Sequence, residues 1–318
     1  MSSLIAVFTT QPSIYYLPFV YVIGVFGNII NIAVFCQSKL CSNSCSLYFI
    51  CLSFSHLLML NCPCLFRIIA VMNNYNVFGR VDILCKISNY LDVLRLVLSR
   101  NFLCLICINR WMITSPNAWI RKQSSRRTAR WAVLITFTFW VFVNIHTATG
   151  YSSISTVCAS ARGYLVLSSI YHIVTAMGAL FIMIWFSILT LMNLRHVGRR
   201  VNPITILTGR THLERQSQKK REIQFIRLSF LQVLIYIILN SLRTAMPVVL
   251  YYLTVLRSST NSEREIIYLC YYWGTYLLYT YAAITSMIYI VASNTFRELC
   301  GVIFKKVYCA LRRCLLHV

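Results

Sequence analysis

Long apolar segments with few polar residues recur along the chain, from Ile14 almost to the C-terminus. Each segment reaches or approaches the roughly 20 residues that a helix needs to cross about 30 Å of hydrocarbon. We assign seven of them, at residues 14–36, 45–71, 81–108, 129–147, 164–191, 225–255 and 266–291. The pattern therefore predicts an all-α membrane protein: a seven-transmembrane helix bundle (14–291) between a short extracellular N-terminus (1–13) and a C-terminal tail (292–318).

The positive charges lie mainly at one end of these predicted helices. Most of the 30 Lys and Arg residues follow the third, fifth and seventh spans. Because basic loops stay in the cytoplasm, this distribution predicts an extracellular N-terminus and a cytoplasmic C-terminus, and we place the protein in the plasma membrane. Attraction to anionic membrane lipid accounts for the net charge of +23, so we expect no nucleic acid as a partner.

Two of the fourteen cysteines stand apart from the others, most of which lie in apolar spans. Cys85 opens the third span and Cys158 lies between the fourth and fifth, so both face the oxidising outer side. A disulfide between them would hold this loop over the bundle. Two free thiols are the alternative, and Cys62 and Cys64 are competing partners. Three further cysteines follow the last span among basic residues, where S-acylation is plausible: Cys300, Cys309 and Cys314.

Asp92 is the most informative polar residue inside the predicted bundle. It lies seven residues after Cys85 and eighteen before Arg110, which is five turns of helix, so all three share one face of the third span. That face should line the bundle interior, with Asp92 about 10 Å below the outer end. A carboxylate at this depth costs a few kcal/mol unless it is paired or solvated, so Asp92 is a candidate functional residue.

Two interpretations of Asp92 remain open on the sequence alone. Arg95, one turn further along, or Arg243 from the sixth span could form a structural ion pair with it. Alternatively, Asp92 could be the counter-ion of a ligand. Tyrosines crowd the outer end of the seventh span, and most of them suit packing or the membrane interface. The candidate ligand-binding residues are Asp92, Arg95, Arg243, Tyr272, Tyr276 and Tyr279.

Several short motifs occur within the predicted spans in a defined order. They are Gly27-Asn28, residues 52–58, Cys85 with Asn109-Arg110-Trp111 at the other end of the span, Trp140, Thr285-Ser286-Met287-Ile288-Tyr289 and Phe296-Arg297. This ordered set resembles the rhodopsin-like (class A) family of G-protein-coupled receptors over nearly the whole chain. Each motif alone is weak, whereas the Cys85-to-Arg110 spacing together with the order is specific.

The resemblance implies a fold and a function. It implies a Cys85–Cys158 bridge, a short amphipathic eighth helix opening at Phe296, and an extracellular ligand bound in the outer bundle. It also implies activation of a heterotrimeric G protein, without a cofactor or metal. The residues that match the family's coupling and switch positions are Asn109, Arg110, Trp111 and Tyr289.

The chain also departs from the family pattern. His56 replaces the aspartate that helps hold a sodium ion in the family, so we expect no sodium site of that type. Asn109 replaces the acid beside the triplet arginine, which predicts higher basal activity. The proline of the fifth span and the switch motif of the sixth cannot be recognised. The ligand class therefore stays open between small peptide, amine and odorant-like molecules, and we favour a peptide.

Other protein classes find less support in the sequence. We find no nucleophile elbow, phosphate-cradling glycine loop or His-Glu cluster, so we do not expect an enzyme. A transporter or channel would favour internal repeats and helices broken at matched positions, and we see neither. A seven-helix membrane scaffold that no longer signals is the remaining alternative, because so many switch residues have changed.

Overall fold

A computed structural model of the chain describes residues 3–41, 43–73, 80–154, 157–200, 209–252 and 261–316. These residues are almost entirely helical. The helices of the first half are α1 (Ser3–Gln11), α2 (Leu17–Phe35), α3 (Ser38–Cys41), α4 (Ser44–Met59), α5 (Leu65–Met72), α6 (Asp82–Thr114) and α7 (Ala118–Gln123). Short π-helical turns at Pro12–Tyr16 and Leu60–Cys64 join α1 to α2 and α4 to α5.

The second half continues with long helices and one β-hairpin. The elements are α8 (Arg126–Val143), α9 (Ile145–Thr149), strands β1 (Tyr151–Ile154) and β2 (Val157–Ser160), α10 (Arg162–Arg200), α11 (Gly209–Tyr251), α12 (Asn261–Ala292) and α13 (Asn294–Leu316). The two strands pair antiparallel, with Tyr151 opposite Ser160. The hairpin lies between the segments that the sequence predicts as the fourth and fifth spans.

Among the described residues, six helical segments are long and apolar enough to cross a membrane, which confirms an all-α, multi-pass membrane protein. They are Val7–Phe35, Ser44–Met72, Arg126–Thr149, Gly163–Arg195, Ile223–Met246 and Glu265–Val291. The remaining long helix, α6, has 33 residues and is about 50 Å long. It is not among these six segments, although it packs against α4, α8, α10 and α11.

The structure extends the first helix beyond the predicted boundary. The apolar pattern predicts that it begins at Ile14, whereas α1 begins at Ser3 and continues through a π-helical turn into α2. The polar residues before Ile14 do not stop the helix because they find partners within it. Ser13 Oγ donates to the Thr9 carbonyl at 3.0 Å, and both residues are buried.

The C-terminal helix also differs from the expected short segment. Helix α13 begins at Asn294 and has 23 residues. The Ser293 hydroxyl oxygen accepts a hydrogen bond from the Phe296 backbone N–H at 3.2 Å, which stabilises the turn that separates α13 from α12. Phe296 is buried against the rest of the bundle, so the start of α13 is anchored to the membrane domain.

An aromatic cluster closes the end of the bundle nearest α13. Phe35 and Phe49 stack with ring centroids 5.1 Å apart, and Tyr289 meets both rings edge-on. Phe296 and Phe225 complete the cluster. These five rings come from α2, α4, α11, α12 and α13, so this cluster joins helices that are distant in the sequence.

Candidate functional site

An outer cavity of about 450 Å³ lies between α4–α5, α6, α11 and α12. A smaller cavity of about 110 Å³ adjoins it on the side of α10 and the hairpin. The same three side chains, Asp92, Arg243 and Tyr271, line both of them. We call the two cavities together the outer cleft, because they lie in the half of the bundle that holds Cys85 and the hairpin.

A disulfide between Cys85 and Cys158 fixes the hairpin at this end of α6, with a Cα–Cα distance of 5.6 Å. This confirms the bridge, and the competing cysteines Cys62 and Cys64 are free thiols. Asp82 supports the same contact, because its carboxylate accepts a hydrogen bond from the Ser153 backbone N–H at 2.9 Å. The hairpin is therefore held against α6 by covalent and polar contacts.

Tyr151 brings the hairpin to the wall of the outer cleft, where it lines the smaller cavity. Burial raises the pKa of Tyr151 above its ordinary value of 10. Its hydroxyl therefore stays protonated at neutral pH and can offer a ligand both a donor and an acceptor.

Asp92 and Arg95 form an ion pair one turn apart on α6. The Arg95 side chain is 3% exposed, whereas that of Asp92 is 32% exposed. The guanidinium carbon of Arg95 also lies 6.0 Å from the centre of the Tyr279 ring. Asp92 therefore forms the structural ion pair with Arg95 and also borders the cavity, where a ligand could reach it.

Arg243 approaches the same place from α11. Its guanidinium carbon lies 4.5 Å from the centre of the Tyr271 ring, and Nη2 donates to the Tyr271 hydroxyl at 3.3 Å. Gly274 allows this approach of α11 to α12, because a Cβ there would lie 3.0 Å from the Arg243 backbone nitrogen. The close helix contact is what places Arg243 at the wall of the cleft.

The predicted tyrosines fall in two places. Tyr272 and Tyr279 line the larger cavity together with Asp92, Arg95 and Arg243. Tyr276 stands apart, since it is 1% exposed and its hydroxyl donates to the Thr9 carbonyl at 2.6 Å. Its environment is the N-terminal helix rather than the cavity.

Arg67 also lines the larger cavity and was not predicted as a site residue from the sequence. Its guanidinium carbon lies 4.3 Å from the centre of the Tyr272 ring. The available signal was the arginine itself, because a charged residue inside an apolar span usually faces the bundle interior or a cavity. His172 of α10, on the smaller cavity, was missed in the same way.

Arg110 is buried near the opposite end of α6 from Cys85 and is 2% exposed. Its Nε donates to Cys45 Sγ at 3.2 Å, and its guanidinium carbon lies 5.2 Å from the centre of the Phe225 ring. The two terminal nitrogens have no hydrogen-bond partner among the described residues. These N–H groups can therefore donate hydrogen bonds to a binding partner.

In the part of the chain that the structure describes, the other predicted coupling residues have partners other than Arg110. Asn109 Oδ1 accepts hydrogen bonds from Ser44 Oγ at 3.1 Å and Ser124 Oγ at 2.7 Å. Trp111 packs edge-on against Phe186 at 5.2 Å between ring centres. Tyr289 donates to Gln232 Oε1 at 3.1 Å inside the aromatic cluster. The triplet is therefore held mainly by polar contacts to α4 and to the segment that joins α7 to α8.

His56 occupies the middle of the bundle, where the family resemblance would place an aspartate. Its ring nitrogens lie 3.2 Å from Ser99 Oγ and 3.3 Å from Thr285 Oγ1, and Tyr281 packs edge-on against the ring. Within the described ranges, no three His, Cys, Asp or Glu residues cluster closely enough to hold a metal ion.

The structure describes the side chain of only one of the three proposed acylation sites. Cys300 is buried against the core of the bundle at 7% exposure, so its thiol is shielded in this conformation. The side chains of Cys309 and Cys314 lie outside the described residues.

Comparison of the chain with models of protein families and with curated proteins finds no match. The features that bear on function are therefore the outer cleft, Arg110 and the helix that joins them.

Proposed function

We propose that this protein is a G-protein-coupled receptor of the plasma membrane. Its N-terminus would be extracellular, its C-terminus cytoplasmic, and α6 would be the third of seven crossings. The charges on α6 suit this role because Arg95, Arg100 and Arg110 are buried inside the bundle rather than facing lipid. The ligand would enter the outer cleft, and a heterotrimeric G protein would bind at the cytoplasmic end.

The observation that carries the proposal is the construction of α6. One rigid helix lines the disulfide-bonded outer cleft with Asp92 and Arg95, and it carries Arg110 near its other end. Arg110 lies 25 residues after Cys85, which corresponds to about 37 Å along the helix. A single element thus connects a cavity that can hold a ligand to a buried cation that can meet a transducer.

Signalling would follow from a shift between two arrangements of the bundle. A ligand activates only to the extent that it binds one arrangement more tightly than the other. In the active arrangement we expect Arg110 to leave Cys45 and Phe225 and to face the G protein, with Asn109, Trp111 and Tyr289 around it. Anionic lipid would contact the basic cytoplasmic segments.

The test is basal G-protein activation in cells that express the intact chain, beside Arg110→Ala at matched surface level. Arg100→Ala is the control, because it also removes a buried arginine from α6. We expect Arg110→Ala to abolish the basal signal and Arg100→Ala to retain it. Equal signals from the wild type and Arg110→Ala would contradict the role of Arg110, and a silent wild type at normal surface level would favour a non-signalling membrane scaffold.

A further inference from the structure

The larger cavity of the outer cleft has an excess of positive charge. Three arginines line it, Arg67, Arg95 and Arg243, and Asp92 is its single acidic residue. Asp92 is already engaged by Arg95. Its one negative charge leaves the wall of the cavity with two uncompensated positive charges, which favours an anion over a cation.

Arg95 is the strongest indication that an acceptor belongs in the cavity. It is 3% exposed, and its Nε and Nη1 atoms have no hydrogen-bond partner among the described residues. A buried donor without a partner costs about 1–3 kcal/mol, and more when it is charged. An anion in the cavity would recover this free energy by accepting the unused hydrogen bonds.

Arg67 and Arg243 are held in a way that leaves hydrogen-bond donors available. Each lies over a tyrosine ring, Arg67 over Tyr272 at 4.3 Å and Arg243 over Tyr271 at 4.5 Å. Such contacts use the flat face of the guanidinium, whereas its N–H groups point outward in the plane. In the part of the chain that the structure describes, neither arginine forms a salt bridge with a carboxylate.

We infer that the outer cleft binds a ligand through an ionised carboxylate, which Arg95, Arg67 and Arg243 hold. This inference rests on the proposed function, and it names the chemistry of the ligand. Arginine favours carboxylates because its planar fork can form two parallel hydrogen bonds to them. A cavity of about 450 Å³ has the size of a small-molecule site, so it suits a small organic acid or the C-terminal residues of a peptide.

An ammonium ligand is disfavoured by the same geometry. It would need Asp92 as its counter-ion, yet Arg95 already pairs with that carboxylate. The ligand cation would also lie beside Arg67 and Arg243, which line the same cavity. Like charges at this range repel each other strongly where little water screens them.

The experiment measures thermal unfolding of the purified full-length protein in detergent, at constant ionic strength and without a G protein. The probes are matched pairs: 4-phenylbutyrate with its primary amide, and the dipeptide Gly-Phe with its C-terminal amide. We expect the acids to raise the unfolding temperature in a saturable way, and the amides to have little effect. Stabilisation by the dipeptide acid alone would identify a peptide terminus, and stabilisation by both acids a general carboxylate site.

Three variants test whether the acids act by binding in the larger cavity. Arg67→Gln and Arg243→Gln should each weaken the apparent affinity for the acids about tenfold, as expected for loss of one charge-assisted hydrogen bond. Arg130→Gln is the matched control, because it removes an exposed arginine of α8 that lies outside the outer cleft. It should leave the affinity unchanged.

Asp92→Asn distinguishes acid ligands from ammonium ligands, because it should change their affinities in opposite directions. It frees Arg95, so acid binding should strengthen severalfold, whereas a site for ammonium ligands would lose affinity. The inference would be overturned if acids and amides bound equally at concentrations up to about 10 mM, where even weak carboxylate recognition is measurable. Unchanged acid binding in both Arg67→Gln and Arg243→Gln would overturn it as well. Because no G protein is present, these results are independent of whether Arg110 couples to one.

Discussion

Arg110 and Cys45 are joined by a hydrogen bond of 3.2 Å from the guanidinium Nε to the thiol sulfur. Among the described residues, this thiol is the only hydrogen-bond partner of the buried Arg110 side chain. Asn109, at the position where the family resemblance would place an acid, accepts hydrogen bonds from Ser44 and Ser124 instead. No carboxylate among the described residues pairs with Arg110, so we expect Arg110 to be weakly held and basal activity to be higher.

A carboxylate at position 45 should therefore lower the basal signal that the proposed function predicts. Cys45→Asp places a negative charge beside Arg110 Nε and stabilises the arrangement in which Arg110 is buried. A gain of about 1.4 kcal/mol would lower the active fraction about tenfold. Basal G-protein activation at matched surface level is the measurement. Cys45→Asn, of nearly equal size and without charge, is the control, and equal silencing by both variants would rule out the ion pair as the cause.

The disulfide between Cys85 and Cys158 should be required for folding. We expect Cys85→Ser and Cys158→Ser each to destabilise the protein by about 2–5 kcal/mol, and the double variant to be no worse than either one. Thermal unfolding and cell-surface level report the effect. Cys51→Ser, at a free and half-buried cysteine of α4, should be much milder. Additive losses in the double variant would show that the two thiols act separately.

The N-terminal helix should depend on one hydroxyl of α12. Tyr276 donates to the Thr9 carbonyl at 2.6 Å, and its oxygen lies 2.7 Å from Ser13 Oγ. Tyr276→Phe removes these contacts from a buried place and should cost about 1–3 kcal/mol of unfolding free energy. The control Tyr268→Phe, at a 61% exposed tyrosine of the same helix, should change stability by less than about 0.5 kcal/mol. Equal melting temperatures for the two variants would contradict this contact's importance.

Gly27 should be intolerant of even one methyl group. A Cβ there would clash with Ser286 Oγ and would lie 2.9 Å from Ser286 Cβ, because α2 and α12 are in close contact at this point. Gly27→Ala should destabilise the protein by about 1–3 kcal/mol. Gly178→Ala is the control, since a Cβ at Gly178 meets nothing within 4 Å and should be neutral or stabilising by up to about 1 kcal/mol. Adding Ser286→Gly to Gly27→Ala should restore part of the loss in thermal unfolding.

The apolar segments could be identified from the sequence because their cause is local. A chain in lipid must satisfy its backbone hydrogen bonds within each segment, so length and hydropathy suffice to recognise a helix. Six of the segments are confirmed by this measure. The ends were harder to predict, because Ser13 and Thr9 satisfy each other inside the helix and remove the polar boundary that the sequence suggested at Ile14.

Placement of the site residues depended on contacts between helices. Periodicity put Asp92 and Arg95 one turn apart on α6, and their ion pair follows from that spacing. The rotation of α12 about its axis could not be predicted, and it turns Tyr279 into the outer cleft but Tyr276 toward α1. Arg67 was missed because its position next to Tyr272 depends on how α5 packs against α12.

The sequence by itself thus determined the helical membrane architecture, the two cysteines that form the bridge and the common face of α6 that carries Asp92 and Arg110. These features follow from hydropathy, charge and helical period along one segment. Only the tertiary structure decided that three arginines surround one paired carboxylate, and that Arg110 rests on a thiol and an aromatic ring. Such groupings depend on how neighbouring helices rotate and pack, and side chains from distant segments set that packing together.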